Sequence, residues 1–253
     1  MNEERDAGRL SIMSFNRLSA VWAVGSILLL ASLDIAPSAA QQLDASSVIR
    51  HIDAAVESRV ESVVSFTVSE HYAVYRGTNE IHPAAEMTVK TTYDKGTGKS
   101  YIIVSQSGSA IIRKFGLLPL LENEKSINQP GNVERSWFTS ANYDMKLKAG
   151  VIQRQDGRDC IALSIKPQRK APNLIDGTLW VDAKDYQIAR IEGVASKNPS
   201  ILAGTTQMMR QYQNVDGFAM ATHARAESNS FLFGRIVVVI DYSDYQIRLH
   251  PKN

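Results

Sequence analysis

The sequence predicts a mainly antiparallel β fold with covering helices, of the α+β class. Three observations carry this. Apolar and polar residues alternate with a period of two over much of residues 64–242. Short polar turns separate the alternating runs, with no strand–helix–strand pattern and no repeat at a fixed period. One dense apolar cluster, at 111–121, breaks the alternation and reads as helix. The composition agrees: 253 residues, 44% hydrophobic and 21% charged, is ordinary for a globular chain of one large or two small domains. A net charge of +2 gives no basis for a broad nucleic-acid surface.

The first forty residues read as an address. From Leu18 to Leu33 no residue is charged, Arg17 precedes the run, and Pro37, Ser38 and Ala40 follow it. A basic flank, a short apolar run and small residues describe a secretory signal, with cleavage expected after Ala40. A spanning helix needs about 20 apolar residues, and this run stops short of that. The segment before Met13 is acidic and long for a leader, so translation is expected to begin at Met13. Residues 41–253 are then a single exported domain, mildly basic, with no polybasic cluster for a membrane surface.

Asp44 reads as the N-cap of a helix through Arg59, whose apolar stripe is Val48, Ile52, Ala55 and Val56. Strands follow. Val64, Phe66, Val68, Tyr72 and Val74 share one face; Met87, Val89, Thr91 and Tyr93 repeat the pattern; Asp94–Lys99 turns the chain into Tyr101–Val104. Between 109 and 128 lie Ile111, Ile112, Phe115, Leu117, Leu118, Leu120 and Leu121, with Gly116 and Pro119 expected to break any single straight helix. Pro130–Phe138 reads as one more short helix. Alternation resumes at Tyr143–Val151, Ile161–Ile165, Leu179–Val181, Ile188–Glu192, Gln207–Gln213, Ala219–Glu227 and Phe231–Tyr242, making about ten strands. One face of such a sheet needs a cover, and the helices between 109 and 138 are the available one.

Motifs for chemistry are sparse. The five histidines, His51, His71, His82, His223 and His250, show no metal-ligand spacing. No nucleophile elbow, Walker loop or dinucleotide fingerprint occurs. The pairs Asp156/Asp159, Asp182/Asp185 and Asp241/Asp244 border turns, where Asp serves turn geometry. The single cysteine, Cys160, excludes an intramolecular disulfide and a cysteine-built zinc site. Alternation sets it opposite Ile161 and Leu163, on the exposed or concave side. His223 reads as a solvent-face residue, and one of Met208 and Met209 must face the packed side. No cofactor, metal or catalytic residue is expected.

Three stretches carry a family resemblance: YDMKLKAGVIQRQDGRDCIALSIKP from Tyr143, DGTLWVDAKDYQIARIEGVASKNPS from Asp176, and YQNVDGFAMATHARAESNSFLFGRIVVVIDYSDYQI from Tyr212. They resemble the bacterial outer-membrane lipoprotein-sorting superfamily, LolA-like and LolB-like, over about residues 43–247. The resemblance implies a strongly curved half-barrel of about ten strands closed by short helices. It implies a soluble periplasmic carrier or chaperone that holds an acyl chain of a lipoprotein or lipid, with transient envelope-protein partners. A monomer is expected. The sorting carrier's polar cavity-closing residue has no placed counterpart here.

Burial of an acyl chain gives about 0.8 kcal/mol per CH₂, so apolar walls and a lid suffice for binding. Candidate lid residues are Phe115, Leu117, Leu118, Leu120, Leu121 and Trp137. Candidate wall residues are Phe66, Val68, Tyr101, Leu147, Ile191, Phe231 and Phe233. The alternatives are an RseB-like sensing module of an envelope-stress pathway, or a hydrolase using His223 or an aspartate pair.

Overall fold

The structure, a computed structural model, describes residues 43–198, 203–230 and 234–251. The proposed leader and the wall candidates Phe231 and Phe233 lie outside them.

Helix α1 (Ala45–Ser62) opens the described chain. Asp44 caps it, its carboxylate accepting from Ser46 N–H at 3.3 Å and Ser47 N–H at 2.9 Å. The Ser46 hydroxyl, donating to the same carboxylate at 2.8 Å, and then these amides hold the Asp44 carboxyl below its ordinary range. Val48, Ile52 and Val56 are buried, the stripe expected from their spacing.

Ten strands follow: β1 (Val63–Arg76), β2 (Ala85–Asp94), β3 (Gly98–Gly108), β4 (Tyr143–Gln155), β5 (Arg158–Pro167), β6 (Ile175–Asp182), β7 (Ile188–Ala195), β8 (Ala203–Val215), β9 (Phe218–Ser230) and β10 (Gly234–Leu249). They form one antiparallel sheet in the order β3-β2-β1-β10-β9-β8-β7-β6-β5-β4, not closed into a barrel. β10 runs past the expected end at Tyr242, because its far half continues to pair with β1 down to Val63 after a register shift near Ser69.

This order dictates where the cover goes. β3 and β4 are consecutive in sequence but sit at opposite edges of the sheet. The chain between them must therefore cross a face, and it does so carrying helix α2 (Ala110–Ile112), a π-helical turn (Arg113–Leu117), helix α3 (Leu118–Ile127) and a 3₁₀ turn (Val133–Ser136). The segment 110–127 is continuous helix rather than the broken one expected from Gly116 and Pro119. Pro119 would crowd the carbonyl four residues back, and the preceding turn widens instead, Leu118 N–H donating to the Arg113 carbonyl.

Curvature has two visible supports. α1 leads directly into β1, yet its Val48 and Ile52 pack on residues of β4 to β7, several strands away in the sheet order. Gly177 and Gly193 face each other across β6 and β7. A Cβ on Gly177 would collide with the Glu192 carbonyl and Gly193 Cα, and one on Gly193 with the Asp176 carbonyl and Gly177 Cα. Only glycine allows the two backbones to approach and bend there.

The helix-bearing inner face holds two separate apolar clusters. Under α1, Tyr143, Met145, Ile161, Leu163, Ile165, Leu179, Val181 and Ile191 close around Val48 and Ile52. Under α3, Leu117 and Leu121 pack on Tyr72, Val74, Met87, Val89, Ala224 and Ile240. The outer face carries a small cluster of Cys160, Ala162, Trp180 and Ala189. Cys160 is thus buried on the outer face, not exposed or concave as alternation had placed it; Trp180 and Ala189 cover it. Burial pushes its thiol up to about 11, the direction of an unreactive cysteine.

Candidate functional site

The strip between the two clusters distinguishes this inner face. On β8, Met208, Arg210 and Tyr212 share the inward side at half burial, with Tyr242 and Tyr245 of β10 and Phe66 of β1 nearby on the same face. Phe66 stacks on Tyr93 at 5.1 Å and tilts against Tyr245 at 5.9 Å. Met208 and Tyr212 pack against the α1 cluster, and Tyr242 against the α3 cluster. Of the two adjacent methionines, Met208 is therefore the inward one.

A charged group joins the α3 cover to the sheet. Glu70 on β1 and Lys99 on β3 are 2% and 7% exposed. Lys99 Nζ donates to Glu70 Oε1 at 2.9 Å and to Glu124 Oε2 of α3 at 2.7 Å. Tyr72 OH donates to Glu70 Oε2 at 2.5 Å and also approaches Glu124 Oε2 at 3.2 Å. One ammonium thus holds two carboxylates from different elements, and a buried phenol fills the remaining acceptor sites. Burial alone would lower the Lys99 pKa, but Glu124 and Glu70 outweigh it and raise it. Burial alone would raise Glu124, but Lys99 and Arg210 outweigh it and lower it. Arg210 bonds Tyr212 and senses Tyr242 and Glu124, which keep it charged against the cost of burial. A further tie, Tyr101 OH to Glu122 Oε1 at 2.5 Å, pins the solvent side of α3 and pushes the phenol up to about 12.

The expected site residues divide between regions. Val68 is buried and Phe66 and Tyr101 half-buried on the inner face of β1 and β3. Leu117 and Leu121 are buried beneath the cover, with Leu118 and Leu120 half-buried beside them. Phe115 turns outward and is 71% exposed. Ile191 and Leu147 belong to the α1 cluster. Trp137 is half-buried after the 3₁₀ turn, where its neighbour Phe138 stacks on Tyr143 at 5.3 Å.

Sequence reasoning missed Glu70, Lys99, Glu124 and Arg210. Glu70 had a signal: it falls on the same parity as Val68, Tyr72 and Val74, so a carboxylate was pointing into the packed face. The other three required knowing which elements meet.

The outer face holds the polar motifs. His223 Nδ1 and Asp241 Oδ1 are 2.7 Å apart across β9 and β10, with His71 in register beside Asp241. Asp182 and Asp185 accept from Lys184 N–H and Gln187 N–H, as turn residues do. Among the described residues no three His, Cys, Asp or Glu side chains are arranged to hold a metal. No helix among them is long and apolar enough to cross a membrane.

No protein-family model and no curated protein matches the chain. Solved structures do overlap it. One is a LolA superfamily protein from Nitrosomonas europaea, 14% identical, covering 83% of this chain and 96% of that one at a TM-score of 0.45. A putative outer membrane lipoprotein-sorting protein domain from Vibrio parahaemolyticus is 15% identical, covering 81% and 94%, at 0.48. A DUF1329 family protein from Desulfovibrio piger is 16% identical, covering 79% and 92%, at 0.46.

Proposed function

We propose that this protein is an exported, non-enzymatic carrier or chaperone that holds an acyl chain of a lipoprotein or lipid on its inner face. The observation that carries this reading is the separation of the two apolar clusters. The separation leaves a strip of the inner face, along β8, that belongs fully to neither cluster. Half-buried Met208 and Tyr212 on β8 border the α1 cluster, Tyr242 borders the α3 cluster, and α3 is tied to the sheet by an ion group as well as by Leu117 and Leu121. An ionic tie can exchange for water when the cover lifts, whereas a fully apolar tie exposes its surface to solvent. Fourteen buried methylenes supply about 11 kcal/mol before ordering costs, at about 0.8 kcal/mol each.

The test is mass spectrometry of an organic extract from protein purified natively, without detergent. Acyl lipid recovered near one molecule per chain is the expected result. A lipid-free protein that also fails to take up a fluorescent fatty acid overturns the reading.

A further inference from the structure

The open sheet has two edges, and they are built differently. β4 is guarded in the usual manner of an edge strand: Asp144, Lys146 and Lys148 are exposed along it, and its pairing with β5 is interrupted between Leu147 and Ile152. β3 is not guarded by charge. Residues 100–107, Ser-Tyr-Ile-Ile-Val-Ser-Gln-Ser, contain no charged residue and no proline. Ile102 is 73% exposed and Val104 65%. A bulge opposite Thr88 and Val89 leaves Val104 out of the pairing with β2.

The ends of this stretch are closed and its middle is open. At one end the Lys99 carbonyl accepts from Gln129 Nε2 at 3.3 Å; at the other the Gly108 carbonyl accepts from Arg113 NH1 at 3.1 Å. Among the described residues no other element hydrogen-bonds the outward backbone groups between them. Immediately after β3, Ile111 and Phe115 sit one helical turn apart on α2 and the π turn, 66% and 71% exposed. β4 also exposes Ile152, at 58%, but it carries those three charges, whereas residues 100–107 of β3 carry none and expose Ile102 and Val104, so β3 is the edge left open to pairing.

We propose that β3 docks against β3 of a second copy of this chain, the two strands pairing antiparallel about a two-fold axis. Charge selects this occupant. Antiparallel self-pairing of 100–107 sets apolar and hydroxyl side chains opposite one another and brings no like charges together. Pairing of β3 with β4 of another copy would propagate into an open filament, and the Asp144, Lys146 and Lys148 guard opposes it. Two-fold self-pairing closes after one step. The interface is a single strand pair with Ile111 and Phe115 at its flank, at the low end of stable contacts, so the dimer is expected to be weak and concentration-dependent. This contrasts with the monomer expected from the sequence, and it stands apart from the carrier reading.

Sedimentation equilibrium of the full chain, diluted from about 1 mM, tests it, since association worth about 4 kcal/mol is visible there. A dimer mass at high concentration is expected, with hydrogen exchange of residues 100–107 slowed only in the concentrated sample. Ile102→Lys and Val104→Lys, both at exposed positions, are each expected to weaken association at least about tenfold, whereas Ile152→Lys on β4 leaves it unchanged. A monomer throughout overturns the proposal. So does a dimer insensitive to both substitutions, or one whose 100–107 amides exchange equally at both concentrations.

Discussion

The α1 cover and the α3 cover lie on the same face of the same sheet but are fastened by different chemistry. Beneath α1 the contacts are apolar from Val48 to Ile191, and its polar ties sit at the surface, as where Asp53 accepts from Ser140 N–H and Oγ at 2.9 and 2.6 Å. Beneath α3 the apolar pair Leu117 and Leu121 is joined by the Glu70–Lys99–Glu124 ion group. An apolar roof has one preferred position and resists opening in proportion to the area buried. An ion group resists by geometry and yields when one charge is removed. On the proposed carrier reading, α3 is then the cover expected to move and α1 the one expected to stay.

The largest effect that probes this contrast is expected at Lys99. Lys99→Met leaves the Glu70 and Glu124 carboxylates without their shared ammonium, at a cost of about 3–5 kcal/mol. Ile52→Ala, under α1, costs a similar about 2–5 kcal/mol through its cavity. The two separate by hydrogen exchange. Lys99→Met is expected to speed exchange first in residues 110–127, while Ile52→Ala speeds it across the sheet. Uniform loss in both variants would remove the distinction between the covers.

Acid should act on the two covers differently, reaching the exposed Asp44 cap at α1 but the buried ion group at α3. The Glu124 pKa is lowered in the folded protein, so its contribution is present above its unfolded value and is lost as pH falls through the folded value, below the ordinary carboxylate range. Lys99 is raised, so its contribution is fully present below its unfolded value and is lost only as pH rises through its folded value, above the ordinary lysine range. The tie is therefore intact at neutral pH and fails at the acid end. Glu124→Gln imitates the protonated state and is expected to lower stability by about 1–3 kcal/mol and to abolish the acid-dependent loosening of 110–127. Acid loosening that persists in Glu124→Gln would place the titrating group elsewhere.

The sheet was legible because each strand shows its own inside. Phe66, Val68, Tyr72 and Val74 mark the inner face of β1 without reference to any other strand. The segment 110–127 announced itself as a cover by apolar density alone. What could not be read was the meeting of distant groups: Lys99 sits in a turn-rich stretch, Glu124 in an ordinary helix end, and Arg210 between glutamines and methionines. Their roles follow from the crossing of 109–142 over the inner face, which depends on β10 pairing with β1, and no local pattern encodes that pairing. Cys160 was misplaced for a related reason. Alternation gives the side of a strand but not what lies over it.

The smallest test sharpens the claim about α1. Asp44→Ala removes the bonds to the first-turn Ser46 and Ser47 amides and is expected to lower stability slightly. If α1 is a permanent part of the core, that cost must appear in full in global urea unfolding, with an unchanged dependence on denaturant, because the helix does not open separately. If α1 instead frays on its own, exchange in 45–50 rises while the global midpoint stays fixed. The first outcome keeps the two covers distinct, since an equally small perturbation of α3 would be absorbed by local opening of 110–127 and leave the sheet beneath it untouched.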